Sequence, residues 1–379
     1  MAIEVRPVEG KKDFKKFLNF PYKVYRAKTG EPGGHYDAWV PPLDMDMKHM
    51  FDRKHNGLFD HAELQEYLAY RNGAVAGRIV AIVDHAFCEY QNTKTGFVGF
   101  FEAYDDVDVA KALFSTAEDW VRSKGMARVI GPINGSTNYQ LGNQIDSFDT
   151  LPVIEMPYSP PYYGKLYEAA GYAKDQDLYS YKMKTTLKLS DKITRVAELA
   201  RKRSKVEIRT VEMKNWDRDV NYVREIWDDA WRDNWGYVPW NKSEFDQLAD
   251  GLKMAIDPKI TLFAYVDGKP VGFAFPIPDL NPVFHGMNGK LLPFGIFKLL
   301  AGKKKADSIR IAAFGVRKEY QNKGIDALFV YELYTRGVKQ GVRGAEFSWI
   351  LESNLHLRNL LENWGAEHYR THRVYGKEL

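Results

Sequence analysis

The sequence contains a single cysteine, Cys88, among 379 residues. One thiol forms no internal disulfide and no cysteine-based zinc site, which fits a reducing, cytoplasmic setting. A lone cysteine is given little weight as a nucleophile. Long apolar runs are also missing. No stretch approaches the roughly 18 residues of a membrane span, and the opening Met1-Ala2-Ile3-Glu4 has no basic-then-apolar leader. The pattern of histidines and acids is not read as a metal site, and no metal is expected. Excess charge of one sign is small, with 54 Lys and Arg against 50 Asp and Glu and a net +4. Nucleic-acid binding wants a concentrated basic face, so the expected partner is a small-molecule acceptor and not nucleic acid.

What is present is a large apolar complement, 45% of residues, with 14% aromatics. At this length that suits two ordinary domains. Three segments recur in the same order. The first is a hairpin: Leu68-Ala69-Tyr70-Arg71-Asn72-Gly73-Ala74-Val75-Ala76-Gly77 parallels Phe263-Ala264-Tyr265-Val266-Asp267-Gly268-Lys269-Pro270-Val271-Gly272. Each alternates apolar positions up to an Asn-Gly or Asp-Gly turn, a strong hairpin signal. The second is a strand and a helix closed by glycine. Residues 97–101 and 109–124 precede Gly125, and residues 309–316 and 326–339 precede Gly341. A further strand follows each helix, at 127–133 and 345–351. The third is a short helix, Leu166-Tyr167-Glu168-Ala169-Ala170-Gly171 paralleling Leu360-Leu361-Glu362-Asn363-Trp364-Gly365. The first and third pairs are almost equally spaced, so duplication is expected. The join falls within 185–194, where Leu187-Lys188-Leu189-Ser190-Asp191-Lys192 reads as a polar connection and Ser190 or Asp191 suits the cap of a helix over 193–203. The expected domains are 1–185 and 195–379, both of α/β type.

After the apolar strand at 309–316 comes Arg317-Lys318-Glu319-Tyr320-Gln321-Asn322-Lys323-Gly324-Ile325-Asp326-Ala327-Leu328. A strand, a basic glycine-containing turn and a helix start can direct backbone N–H groups at an anion, and the helix N-terminus adds favourable partial charge. Gly324 permits close approach of the backbone, and Lys323 or Arg317 suits phosphate oxygens. The same residues also fit an ordinary polar turn before a helix.

This order of hairpin, strand, loop and helix resembles the GCN5-related N-acetyltransferase (GNAT) superfamily in a tandem form. Members of that family carry Gln/Arg-x-x-Gly-x-Gly/Ala between a strand and a helix, where the pyrophosphate of acyl-CoA binds. Gln321 and Gly324 match this pattern. Asp326 stands where a third small residue belongs, and a carboxylate there repels pyrophosphate unless it turns away. The resemblance covers about residues 205–375 well and the first copy more weakly. It implies two tandem acyl-CoA N-acyltransferase units, each a mixed, mostly antiparallel sheet flanked by helices. It implies acetyl-CoA or another acyl-CoA as co-substrate. Cofactor contacts then fall on Phe314, Val316, Arg317, Gln321, Asn322, Lys323, Gly324, Ile325, Asp326 and Asn354.

In this family an amine attacks a thioester, which needs a base for the amine proton, an acid for the leaving thiolate and an N–H for the oxyanion. The two copies divide these features. The family's acid tyrosine falls on Leu361 in the second copy and on Tyr167 in the first. Glu102 lies on the long strand of the first copy. There, however, Asp105-Asp106-Val107-Asp108 occupies the phosphate-loop position, so no CoA is expected in that copy. Glu352 is the candidate base of the second copy. The family's acceptor-lining segment falls on residues 227–240, where Asn234, Trp235 and Tyr237 are candidate substrate contacts. Trp227 and Trp231, four apart, are expected to face the core. Residues 281–305 form an apolar insertion ending Lys303-Lys304-Lys305. It reads as packed on its own domain, as a lid over a greasy substrate or as an interfacial anchor. Residues 131–163 are turn-rich and read as a surface loop packed across the first domain. The expected function is N-acylation of a small amine or amino-acid-like acceptor, with acetyl as the first candidate group. Aminoacyl transfer from aminoacyl-tRNA and a non-catalytic ligand-binding role are the alternatives.

Overall fold

The computed structural model describes every residue except Met1, Leu187 and Ser204; Leu187, part of the expected connection, thus lies outside the described residues. The strands are β1 (Ile3–Pro7), β2 (Ala62–Arg71), β3 (Ala74–Asp84), β4 (Thr95–Ala103), β5 (Arg128–Gly131), β6 (Asn143–Gln144), β7 (Ala173–Lys184), β8 (Glu207–Thr210), β9 (Leu262–Val266), β10 (Lys269–Pro278), β11 (Ser308–Val316), β12 (Gly344–Leu351) and β13 (Glu367–Glu378). The helices are α1 (Gly10–Tyr25), α2 (Asp44–Met50), α3 (His85–Tyr90), α4 (Val107–Ser123), α5 (Tyr163–Ala169), α6 (Asp191–Arg203), α7 (Trp216–Trp231), α8 (Lys242–Ala255), α9 (Asn281–His285), α10 (Gly295–Lys303), α11 (Ile325–Lys339) and α12 (Leu355–Asn363). No helix among them is long and apolar enough to cross a membrane.

The chain forms two compact units. Unit 1 comprises Met1–Leu178, Asn281–Ile296 and Arg370–Leu379; unit 2 comprises Tyr179–Leu280 and Phe297–Tyr369. Each is the mixed, mostly antiparallel sheet flanked by helices that the resemblance implies. In unit 1, β1 to β4 form an antiparallel meander and β5 joins β4 in parallel. The last residues of the chain complete this sheet, with Tyr375 opposite Gly131 and Glu378 opposite Arg128. In unit 2, β8, β9, β10 and β11 are antiparallel and β12 joins β11 in parallel. Both hairpins turn where the dipeptides place them. Asn72 and Gly73 have φ of 54° and 79°, and Asp267 and Gly268 have φ of 48° and 76°. Two successive positive φ values match the right-handed twist of the flanking strands.

The core of unit 2 lies between the sheet and α6 and α11. Ile309 and Ile311 of β11 share one buried cluster with Leu328, Phe329 and Leu333 of α11. Burying each such side chain contributes about 1.5–3 kcal/mol, which fixes where α11 begins relative to the strand before it. The helix ends where Gly341 takes φ of 84° and the Val342 N–H donates to Gly337 O at 3.0 Å. One expectation is corrected here. The insertion at 281–305 does not pack wholly on its own half of the chain. Residues 281–296 belong to unit 1, where Asn281 Nδ2 donates to Pro152 O at 2.7 Å and the Asp44 N–H donates to Gly289 O at 2.8 Å.

Candidate functional site

In unit 2, β11 pairs with β12 only from Ser308↔Gly344 to Ile311↔Phe347. Both strands continue, to Val316 and Leu351, with no further pairing between them among the described residues. They part, and the backbone of residues 312–316 faces the opening. The other edge of β11 stays paired to β10 as far as Gly272↔Val316, with a register shift between Phe275 and Pro276. Such an irregularity bends a strand and increases its local twist.

Past Val316 the chain makes a short turn of helix at Lys318–Tyr320 and then starts α11. Asn322 and Gly324 are left-handed, with φ of 62° and 77°. Gly324 occupies the cap position of α11, and no side chain caps the helix. The first-turn amides of an uncapped helix form a ready anion site. The positive φ favours glycine at 324, and a Cβ there would also crowd Val196 Cγ1 of α6 at 3.0 Å. Gln321 Nε2 donates to Val316 O at 3.1 Å and ties the turn to the strand end.

The basic side chains of the turn divide. Arg317 Nη2 donates to Glu225 at 2.8 Å and its Nε to Pro270 O at 3.1 Å. Lys318 pairs with Asp233, and its N–H donates to Asp229 at 2.7 Å. Carboxylates of α7 and the residues just after it therefore hold both groups. Lys323 Nζ lies 4.5 Å over the Tyr320 ring and makes no ion pair among the described residues. The Asp326 carboxylate lies 3.6 Å from His356 Nε2 of α12. It sits in the first helical turn, where negative charge is favourable. Phe314 packs edge-on against Phe329 at 5.6 Å, and Val316 and Ile325 are buried. Asn354 caps α12, its oxygen accepting the Leu357 N–H at 3.1 Å. Glu352 is half-buried at the end of β12, with its carbonyl accepting from Arg358 at 2.7 Å. Leu361 is fully buried.

Helix α7 brings an aromatic shelf to this end of β11. The Trp227 and Trp231 rings stack at 4.3 Å, and Trp231 lies on Phe273 at 5.9 Å. A Cβ on Gly315 would lie 2.3 Å from the Trp231 ring, so only glycine in the strand lets the indole settle there. The two tryptophans remain half-buried beside the opening, not sunk in the core as their spacing suggested. The sequence signal for this was Gly315, a residue without a side chain in an otherwise apolar strand. Beyond the helix, Tyr237 is buried and its hydroxyl donates to Asp228 at 2.7 Å. Asn234 and Trp235 are half-buried, with the Asn234 N–H donating to Trp231 O at 2.8 Å.

The same elements of unit 1 are closed. Asp106 caps α4, accepting from the Asp108 and Val109 N–H groups, and Arg71 pairs with it at 3.0 Å. The parting of β4 from β5 is filled by the 131–163 insertion. The Ile133 N–H donates to Val98 O at 2.9 Å, and Asn134 Oδ1 accepts the Phe100 N–H at 2.7 Å. A Cβ on Gly99 would lie 2.0 Å from Ile133 O. Glu102 sits in a buried network, accepting from the Tyr163 hydroxyl at 2.6 Å and lying 3.7 Å from Arg78. Burial pushes its carboxyl above the usual range, with Arg78 opposing. Tyr167 is fully buried, stacked at 4.9 Å on Tyr375, and its hydroxyl has no hydrogen-bond partner among the described residues. Burial pushes the Cys88 thiol up, away from thiolate chemistry. His368 and His372 have the spacing of a helical metal pair, but on strand β13 residues four apart are separated by about 13 Å.

Comparison with known proteins bears on this arrangement. The family model described as "Acetyltransferase (GNAT) family" matches residues 220–366, which include the opening, the turn and α11. Over its whole length the chain is 35% identical to the bacterial ceramide synthase of Caulobacter vibrioides, covering 98% of that protein. It is 34% identical to protein YghO of Escherichia coli, with 99% of this chain and 95% of YghO aligned. Among solved structures, a tandem GNAT protein from the clavulanic acid biosynthesis pathway superposes with a TM-score of 0.57 at 12% identity, covering 100% of this chain and 98% of that one. At that identity the likeness speaks to fold alone, and the two curated relatives carry the kinship. The chain belongs to the GCN5-related N-acetyltransferase (GNAT) family.

Proposed function

We propose that this protein is an acyl-CoA-dependent N-acyltransferase, with the acyl-CoA held by unit 2 and an acceptor of the long-chain amino alcohol class. The observation that carries the reading is the uncapped, left-handed start of α11 at Gly324, directly after the parted end of β11. The Gly324–Asp326 amides, with Lys323 beside them, would hold the pyrophosphate. Asp326 would stay directed at His356, and the NH2 of Asn354 would be free for the pantetheine arm. Bound acyl-CoA supplies the thioester carbonyl. A backbone N–H of residues 312–316 then meets its developing oxyanion. The acceptor nitrogen forms the new C–N bond as the C–S bond breaks. Its proton goes to Glu352, and the thiolate leaves to be protonated by solvent, because Leu361 has no proton to give. Glu102 and Tyr167 are assigned to the packing of unit 1.

The acceptor class rests on the ceramide synthase relative, since a ceramide is the amide of a long-chain amino alcohol. The half-buried shelf of Trp227 and Trp231 suits an apolar acceptor better than an amino-acid-like one. Acetyl transfer to a small amine is the second reading. The two are separated by offering the purified protein acetyl-CoA or palmitoyl-CoA with sphinganine or a short alkylamine, and following free thiol and amide product. The proposal expects thiol release that requires the long-chain pair. Turnover with acetyl-CoA and the short amine alone would replace it with the second reading, and no thiol release with any pair would contradict both.

A further inference from the structure

Between Asp279 and Asp307 the chain carries no Asp or Glu, but five lysines: Lys290, Lys298, Lys303, Lys304 and Lys305. Helix α10 lies in this stretch and turns large apolar side chains to solvent. Phe297 is 69% exposed and Leu300 58%. The chain just before the helix adds Leu292 and Phe294, 75% and 73% exposed. Lys303 Nζ bonds to Met254 O at the end of α8, which brings the 77% exposed Met254 side chain beside α10. Isolated exposed apolar residues need no explanation, but a run of large ones on one short segment does. The surrounding charge narrows the occupant. A protein or second-copy interface tends to exclude lysine from its centre. Apolar side chains on a stretch that carries five lysines and no Asp or Glu between Asp279 and Asp307 suit a surface that is apolar inside and anionic outside.

We propose that α10 and the residues flanking it dock this protein on an anionic lipid bilayer. Phe297, Leu300 and Met254 enter the acyl boundary while Lys304 and Lys305 lie among the anionic headgroups. The contact is interfacial, since a nine-residue helix is far too short to span a bilayer. The inference does not depend on the proposed reaction, because it rests on exposure and charge alone.

The test is co-sedimentation of the full chain with vesicles of phosphatidylcholine, or of phosphatidylcholine with about one-third phosphatidylglycerol, at low and high salt. The expected result is binding to the anionic vesicles at low salt that weakens as salt rises. The double substitution Phe297→Ser/Leu300→Ser is expected to weaken binding at least about tenfold. Lys304→Glu/Lys305→Glu is expected to remove the preference for anionic lipid, also about tenfold. Circular dichroism matching the wild type shows that both variants fold, and acyl-CoA affinity is unchanged in each. The proposal is overturned if the wild type stays in the supernatant at low salt. It is also overturned if neither variant changes partitioning, or if light scattering shows a wild-type dimer that the Phe297→Ser/Leu300→Ser chain cannot form, for a second copy would then cover the patch.

Discussion

Unit 1 and unit 2 use the same sequence of strand, turn and helix to opposite ends. In unit 2 no side chain caps the helix start, glycine at its cap is left-handed, and the strands before it part after Ile311 and Phe347. In unit 1 a carboxylate occupies the cap, an arginine neutralises it, and backbone from a later insertion fills the parting. The fold is shared; the difference lies in a few residues. Asp106 gives α4 the ligand that α11 lacks, and Ile133 with Asn134 gives β4 the neighbour that the end of β11 lacks. On the proposed reading, an anion site in this architecture is a feature the chain can keep or close without changing its strands.

Several substitutions break or sharpen the contrast. The largest effect on acyl-CoA binding is expected from Gly324→Asp, which puts unit 1's chemistry at the start of α11. It should weaken acyl-CoA binding on the order of a hundredfold in equilibrium titration, equivalent to about 2.7 kcal/mol. Because a Cβ there also meets Val196, Lys323→Glu serves as a second probe that leaves packing alone, with a loss of about tenfold. Glu102→Gln should do the reverse. It leaves Arg78 buried beside a neutral partner and should cost about 3 kcal/mol in urea unfolding, with acyl-CoA affinity unchanged.

A smaller effect is expected at Asp106→Ala. Loss of the cap of α4 should cost about 1 kcal/mol and still create no second acyl-CoA site, because Ile133 and Asn134 keep the strands' parting filled. The smallest concerns pH. Burial opposes ionisation of Asp177, but Arg373 at 2.8 Å and Lys174 at 3.1 Å outweigh it and hold the carboxyl below its usual range. A lowered folded-state pKa means that this contribution is complete above the unfolded pKa and is lost as pH falls through the folded one. Wild-type and Asp177→Asn stabilities should therefore differ near pH 7 and begin to converge only below about pH 4, as the pH falls towards the lowered folded-state pKa, read by thermal melts across that range.

Much of this was legible in the sequence because it rests on local chemistry. Asn72-Gly73 and Asp267-Gly268 dictate their own turns. The apolar period of 326–339 dictates α11, and Gly324 announces a left-handed backbone that few residues besides glycine and asparagine adopt cheaply. The electrostatics of the turn were not legible. Arg317 and Lys318 look available in the sequence, and only the return of α7 beside the strand shows that Glu225, Asp229 and Asp233 claim them. Trp231 followed the spacing of a core residue, yet Gly315 opposite it leaves a place at the mouth of the opening. Nor could the sequence show that residues 131–163 reach back to close unit 1, or that the last ten residues complete its sheet. Those outcomes depend on contacts between residues distant in the chain, which periodicity and turn signals do not record.

The central claim is that one chain holds one acyl-CoA, on unit 2. Isothermal titration of the wild type, Gly324→Asp and Asp106→Ala with an acyl-CoA tests it directly. The account predicts one site per wild-type chain, about a hundredfold weaker in Gly324→Asp and unchanged in number and affinity in Asp106→Ala. Two sites per chain, or a single site that survives Gly324→Asp and Lys323→Glu at wild-type affinity, would contradict it.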